Sequence, residues 1–406
     1  MSWEKVRLGD VMDLQNGYAF SSEDYVDNSE VYNCRMSNIR PGGIFDIDYN
    51  PRFLPNDYAE KYSQFLLKNG DIIVAMTDLA NDPKILGVPT IITGDKKILL
   101  NQRVGKLIIG DKEKVFIPFL KYALNRKQVQ KYFSKFSNGG LQINLGKNDL
   151  LSYEIELPPI ATQKRIADIL DTADALRRKD QELLTKYDQL AQAIFIDMFG
   201  DPVKNEKGWE VKKLGEVTLK IGSGSTPTGG KTAYKEKGIS LIRSMNVYDF
   251  AFKYKDLAYI DDIQAKKLNN VEVKSMDILF NITGASVCRC SIVPDKILPA
   301  RVNQHVSIIR VKDDVLNPIF LNHLLVSNQV KNNLLGIGAG GGAVMEAITK
   351  DQLENFEIII PDFKLQNEFE QRIKLLDAQK SIQQNSHSTS LFSSLIQQAF
   401  NGTLVS

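Results

Sequence analysis

Hydrophobic positions along this chain change their period twice, in the same order each time. The first stretch of about 155 residues carries short apolar runs separated by Gly, Asn, Asp and Pro, among them DIIVAM, KLIIG and YEIEL. A second such stretch carries DILFNI, VSIIRV and FEIII. These runs predict strands, and IPFLKYALNRKQVQKYF between two of them predicts a short helix. Pro158-Pro159 and Pro361 then stop the last strand of each stretch.

After each stop the period becomes helical. From about 160 to 198, Ile166, Ile169, Ala173, Leu176, Asp180, Leu183, Tyr187, Leu190 and Ile194 recur at alternating spacings of three and four. Leu170, Leu184 and Ala191 widen the stripe, and no Gly or Pro interrupts it before Gly200. Past Pro361 the same spacing returns in Leu375, Ala378, Ile382, Asn385, Thr389, Phe392, Ile396 and Ala399. This second stripe is more polar, and NSHSTS at 385–390 lowers its helix propensity. A lone helix with such a stripe is unstable in water, so the two are expected to pack on each other, the alternative being that each packs on its own globular domain. The expected seam is an antiparallel coiled coil of Ile166, Ile169, Ala173, Leu176, Leu183, Tyr187, Leu190 and Ile194 against Leu375, Ile382, Phe392 and Ile396.

The halves also share wording. WEKVRLGDVMDLQNGYAF answers WEVKKLGEVTLKIGSGSTP, opened by the two tryptophans Trp3 and Trp209. Further matches align Arg35 with Arg243, Asn38 with Asn246, Asp71 with Asp277 and Thr77 with Thr283. Asn101-Gln102 aligns with Asn303-Gln304, Pro158 with Pro361 and Gln163 with Gln366. A period of about 200 residues is a duplicated domain, too long for a solenoid repeat. The expected fold is α+β: two tandem α/β domains, 1–158 and 201–361, separated by long helices at 159–200 and 362–406, related by a pseudo-two-fold axis. Such a helix is roughly 55 Å long. A spacer of several tens of ångströms is comparable to one to one and a half turns of B-DNA, at ~34 Å per turn.

Composition narrows the chemistry. A length of 406 residues fits two or more domains, and no run of eighteen apolar residues exists. MSWEKVRLGD lacks the apolar stretch of a signal peptide, and three cysteines build no disulfide framework, so a cytoplasmic protein is expected. With Cys288 and Cys290 spaced C-x-C and only three histidines, no four-ligand zinc set emerges, and no metal site is expected. The net charge of +2 requires any nucleic-acid surface to be basic locally.

GSGSTPTGGKT at 222–232 ends like a phosphate-binding loop, but the first glycine of that motif falls on Ser225, and Pro227 removes an amide from the cradle. Turn formation is the ordinary use of such a stretch. No G-x-S-x-G or H-E-x-x-H is present. Asp71 and Asp277 read as strand-start or turn residues. Catalytic residues are therefore absent from the candidates, and those that remain suit base edges. In the first half they are Asn16, Tyr18, Arg35, Ser37, Asn38, Arg40, Thr77, Asn101, Gln102, Arg103, Asn138 and Gln142. In the second they are Ser223, Ser225, Thr226, Lys231, Arg243, Ser244, Asn246, Thr283, Arg289, Asn303, Gln304 and His305. Turn closure and helix capping compete for the same residue types.

Two domains that each open W…LG[DE]V and end in [LI]P-x(3-4)-Q before a long helix resemble the specificity subunit of type I restriction-modification enzymes. GSGSTP, LIRSMNV, ILFNITGASVCRCSIVP and NQHVSIIR resemble its target-recognition domains, with Cys288 standing where glycine is expected. The resemblance implies a non-catalytic chain in which each domain reads half of a split double-stranded DNA target. The helices would set the spacer and dock two methyltransferase (modification) subunits. It implies no cofactor on this chain, S-adenosylmethionine on the modification subunits, ATP and Mg on restriction subunits, and no membrane. The alternatives are a solitary methyltransferase or NTPase, and a two-headed protein adaptor.

Overall fold

The computed structural model describes residues 3–137, 140–339 and 347–404. The chain divides into two compact units, residues 1–180 with 386–406, and residues 181–385. The central helix, Ile160–Phe199, runs unbroken for 40 residues, and its halves belong to different units.

Each unit contains the same pair of four-stranded sheets. In the first unit one sheet runs Pro89–Ile91, Ile72–Ala75, Val104–Ile109, Met12–Asn16, all antiparallel. The other runs Phe53–Leu54, Val31–Cys34, Lys97–Leu100, Leu66–Leu67, with its central pair parallel. In the second unit the corresponding orders are Cys290–Ile292, Ile278–Asn281, Val306–Val311, Thr218–Ser223, and Ala258–Ile260, Ile239–Ile242, Ala300–Val302, Glu272–Val273. The central pair of that second sheet is again parallel. Glu4–Arg7 pairs with Glu154–Leu157, and Glu210–Lys213 with Glu357–Ile360, closing each domain start on its end. The duplication read in the wording is thus a duplication of topology.

Side-chain alternation explains the layers. In Ile72–Ala75 every residue is buried. Ile72 and Val74 pack with Leu120 and Phe133 of the helices Ile117–Leu124 and Lys127–Phe133. Ile73 and Ala75 point the other way, to Cys34, Ile98 and Leu100 of the second sheet. The period of two along a strand sends alternate residues to opposite faces, so a continuous apolar run marks a sheet covered on both sides. The second unit repeats this with Ile278 and Phe280 toward Phe320 and Leu324, and Leu279 toward Leu241 and Val302.

Four aligned polar residues prove structural. Gln163 is fully buried; its Oε1 accepts from Phe116 N (2.8 Å), and its Nε2 donates to Lys114 O (2.7 Å) and Pro158 O (2.8 Å). Gln366 does the same, accepting from Asn317 N (2.8 Å) and donating to Val315 O (3.2 Å) and Pro361 O (2.7 Å). Each fixes the start of a long helix to the loop before a short one. Asp277 accepts from Lys274 N (2.7 Å) and takes both Nε and Nη2 of Arg310 at 2.7 Å. Asp71 caps Lys68 N (2.8 Å) and pairs with Lys106 (2.6 Å), as its turn reading requires.

The helices pair antiparallel within each unit. In the first, Ile166, Ala167 and Leu170 pack with Ala399, Phe400, Phe392 and Ile396 of the last helix, Ser388–Phe400, and Asp180 accepts from Ser386 Oγ (2.7 Å). In the second, Phe195 and Phe199 meet Phe369 of Phe363–Gln384 edge to face, with Lys380 bonded to Asp188 at 2.5 Å. Two expectations change. The C-terminal helix is two helices, broken at 385–387, where Asn, Ser and His offer the backbone alternative bonds. The seam is also shifted by one residue at every second position. Ile166, Ala173, Tyr187 and Ile194 face inward as expected, but their partners are Leu170, Arg177, Leu184 and Ala191. Ile169 is only half-buried, while Leu176, Leu183 and Leu190 are 48%, 37% and 46% exposed. On the opposing helix Leu375 and Ile382 are 70% and 66% exposed, and Leu376 packs instead. The physical reason is docking: each end of the central helix turns toward its domain, against Phe119 or Phe320, and the middle of the seam is held by ionic and polar pairs. The pairs that cross it are Asp180–Ser386 and Asp188–Lys380, while within the central helix itself Asp174, nearly buried, receives both Arg177 (2.5 Å) and Arg178 (2.8 Å).

Candidate functional site

In both domains the strand that ends the first sheet passes into a glycine that crosses against the second sheet. A Cβ on Gly17 would stand 2.2 Å from Asn101 O, and one on Gly224 1.8 Å from Val302 O. Only glycine permits this approach. Tyr18 N then donates to Leu100 O (2.9 Å), and Gly224 N to Asn303 O (3.1 Å). The glycines of GSGSTP therefore bring a loop beside the Asn-Gln turn rather than cradle a phosphate.

The Asn-Gln turn is built the same way twice. Asn101 and Asn303 are buried, and their Oδ1 atoms accept from the backbone N–H two residues on, Arg103 at 3.2 Å and His305 at 3.1 Å. This tight local bond presents the next two side chains outward. Gln102 and Arg103 are exposed, Gln304 is exposed and His305 half-buried. We call each arrangement a head.

The heads differ in what surrounds them. In the second, Thr226 Oγ1 donates to Gln304 Oε1, Gln304 Nε2 lies 3.2 Å from His305 Nε2, and His305 Nδ1 lies 2.7 Å from Thr283 Oγ1. The neutral imidazole with its proton on Nδ1 satisfies both of its contacts. Arg289 stacks over Tyr248 at 4.6 Å. In the first, Tyr18 forms the exposed edge of an aromatic cluster with Phe20, Tyr62 and Phe65 at 4.9, 4.5 and 5.6 Å. Lys61 lies over the rings of Tyr58 and Tyr62. Sequence reasoning missed Tyr58 and Tyr62, whose spacing of four on a helical turn was the available signal.

The other candidates sort by burial. Asn38 and Asn246 have no edge to offer a base. Asn38 Oδ1 accepts from Arg35 N (2.9 Å) and its Nδ2 donates to Asp46 O (3.0 Å) and Tyr49 O (3.1 Å). Asn246 accepts from Arg243 N (3.1 Å) and donates to Lys253 O (2.9 Å). Thr77 is also buried, bonded to Asn144 Oδ1 at 2.9 Å on the strand pair that carries half-buried Gln142. Arg35 and Arg243 hold the carbonyls of Asn50 and Asp256, both in the left-handed region, yet each keeps a buried Nε without a partner, as does Ser37 Oγ. Arg40 stacks on Tyr49 at 3.7 Å. Asn16 and Ser225 are exposed, Ser223 and Ser244 half-buried. Asn138 and the side chain of Lys231 lie outside the described residues. Cys288 sits at φ 65°, a conformation that favours glycine, as the expected residue there does.

Little here suggests reaction chemistry. Burial pushes the Cys34 thiol up to about 12 and Cys290 well above its usual value, which disfavours the thiolate. Among the described residues no three His, Cys, Asp or Glu side chains gather as a metal set, and no helix is long and apolar enough to cross a membrane.

Known proteins agree with this architecture. The model of the type I restriction modification DNA specificity domain matches residues 1–186 and again 206–388. The MjaVIII specificity subunit of Methanocaldococcus jannaschii is 35% identical over 188 residues, which is 45% of this chain and 43% of that protein. A putative MjaX specificity subunit from the same organism is 26% identical over 399 residues, 92% of this chain and 87% of its own. The crystal structure of a type I restriction-modification S subunit from M. genitalium shares the fold, with a TM-score of 0.60 at 15% identity over 98% of this chain and 96% of that one. The chain belongs to the type I restriction modification DNA specificity family and carries its domain twice.

Proposed function

We propose that this chain is the sequence-reading subunit of a type I restriction-modification complex, and that each head reads one half of a split DNA target. The recognition domains are 1–158 and 201–361, and the helices at 159–200 and 362–406 set the gap between half-sites. The observation that carries this is the head itself: one glycine crossing and one buried asparagine, built twice, presenting Gln-Arg in one copy and Gln-His in the other. A shared frame with different outward residues suits two different words. Basic residues elsewhere in each domain, such as Arg40 in the first and Arg289 in the second, suit the flanking phosphates, which position a protein without specifying sequence.

In this reading the complex works in the cytoplasm and its chemistry lies on partner subunits. Two methyltransferase subunits dock on the helices and transfer a methyl group from S-adenosylmethionine to an adenine in each half-site. Restriction subunits supply ATP- and Mg-dependent cleavage. The test is selection of bound sequences from a randomised duplex library by the purified chain. Two short words at a fixed gap, with affinity falling steeply as salt rises, support the reading. One continuous word, or none, contradicts it.

A further inference from the structure

Resting on that reading, we propose that Gln304 and Arg103 are specificity-determining residues, Gln304 taking an adenine in the second half-site and Arg103 a guanine in the first. The second head is prepared for an amide reader. A carboxamide has two acceptor lone pairs and two donor protons. Thr226 uses one lone pair of Gln304 Oε1, and His305 Nε2 uses one Nε2 proton. One acceptor and one donor remain, side by side on an exposed residue. That is the pattern that matches adenine N7 and N6 in the major groove.

The other members of the row act through Gln304. Thr283 fixes the His305 ring by its Nδ1, leaving Nε2 to hold the amide in one of its two flips. His305, Thr226 and Thr283 are positioning residues. An amide held at both ends loses little rotamer freedom on binding, so its base preference is sharpened.

The first head lacks this clamp. Neither Gln102 nor Arg103 has a side-chain hydrogen-bond partner among the described residues, and beside Gln102, whose N–H donates to Tyr18 O, stands the Tyr18 aromatic cluster. Arg103 stands where the second domain has His305, and its backbone is pinned by Asn101. An exposed guanidinium at that position presents the fork that bonds guanine O6 and N7. The two heads therefore share a frame but read by different groups.

Bound-sequence selection with the full chain tests this. Gln304→Ala should erase an adenine preference of roughly 5- to 150-fold at one position of one word, leaving the other word intact. Gln304→Glu, which can only accept, should turn that position toward cytosine. His305→Ala should blur the same position without moving any other. Arg103→Ala should erase a guanine preference in the opposite word. Unchanged words in the Gln304 and Arg103 variants, or changes in both words from one variant, overturn the proposal while the wild-type words still uphold split reading. A wild-type chain that selects no words removes the function and this inference together.

Discussion

Replacing Gln366 by Leu removes the pin between the second domain and its long helix while keeping similar volume. Three groups lose their partner: Asn317 N–H, Val315 C=O and Pro361 C=O. Each buried polar group left unpaired costs about 1–3 kcal/mol. The N–H and the Pro361 carbonyl, bonded at 2.8 and 2.7 Å, carry most of this, and the 3.2 Å bond to Val315 less. The expected loss is about 3–5 kcal/mol. For a unit of this size the midpoint falls by about 2–4 °C per kcal/mol, so a decrease on the order of 10 °C is expected in the transition of residues 181–385. Differential scanning calorimetry of the full chain reads this directly. Gln163→Leu should lower the other unit by a similar amount, because its three bonds are the same. A drop below about 3 °C in both variants would refute the claim that these glutamines anchor the helices.

Asn246→Ala should cost about 2–3 kcal/mol by stranding Arg243 N–H and the Lys253 carbonyl, yet leave the selected DNA words of the folded protein unchanged. Leu170→Ala, at a fully buried seam position, should cost about 2–5 kcal/mol, whereas Leu176→Ala, 48% exposed, should cost about 1 kcal/mol or less in the same denaturant titration. His323 is half-buried, packed against Phe250 and Phe369, and desolvation lowers its pKa from 6.5 to about 4. Between those values the unfolded chain binds the proton and the folded chain does not, so stability falls as pH falls through that window, by up to roughly 1.4 kcal/mol per pH unit. His323→Leu should flatten that part of the pH profile of the unfolding midpoint.

Much of this molecule is legible in its sequence because it is written twice. Aligned residues such as Gln163 and Gln366 recur in the same kinds of bond, and the two four-stranded sheets repeat in the same strand order. The helix periodicity located the long helices but not their inward face. At 169–170 and 183–184 two adjacent apolar residues compete, and a spacing of three and four admits either. Docking against Phe119 and Phe320 makes the choice, and that contact is distant in sequence. Two of the candidate readers are misleading for a different reason. Asn38 and Asn246 have the residue type that reads adenine, but the same carboxamide closes a backbone turn, and only burial separates the two uses. Alignment of the halves could not help, since a structural staple is repeated as faithfully as a reading residue.

Exchanging residues 209–361 for the corresponding domain of another family member tests the central claim most directly, with the target words of parent and hybrid determined by bound-sequence selection. One word should be replaced and the other retained at its original base positions. Alteration of both words, or of neither, would contradict the assignment of one half-site to each domain.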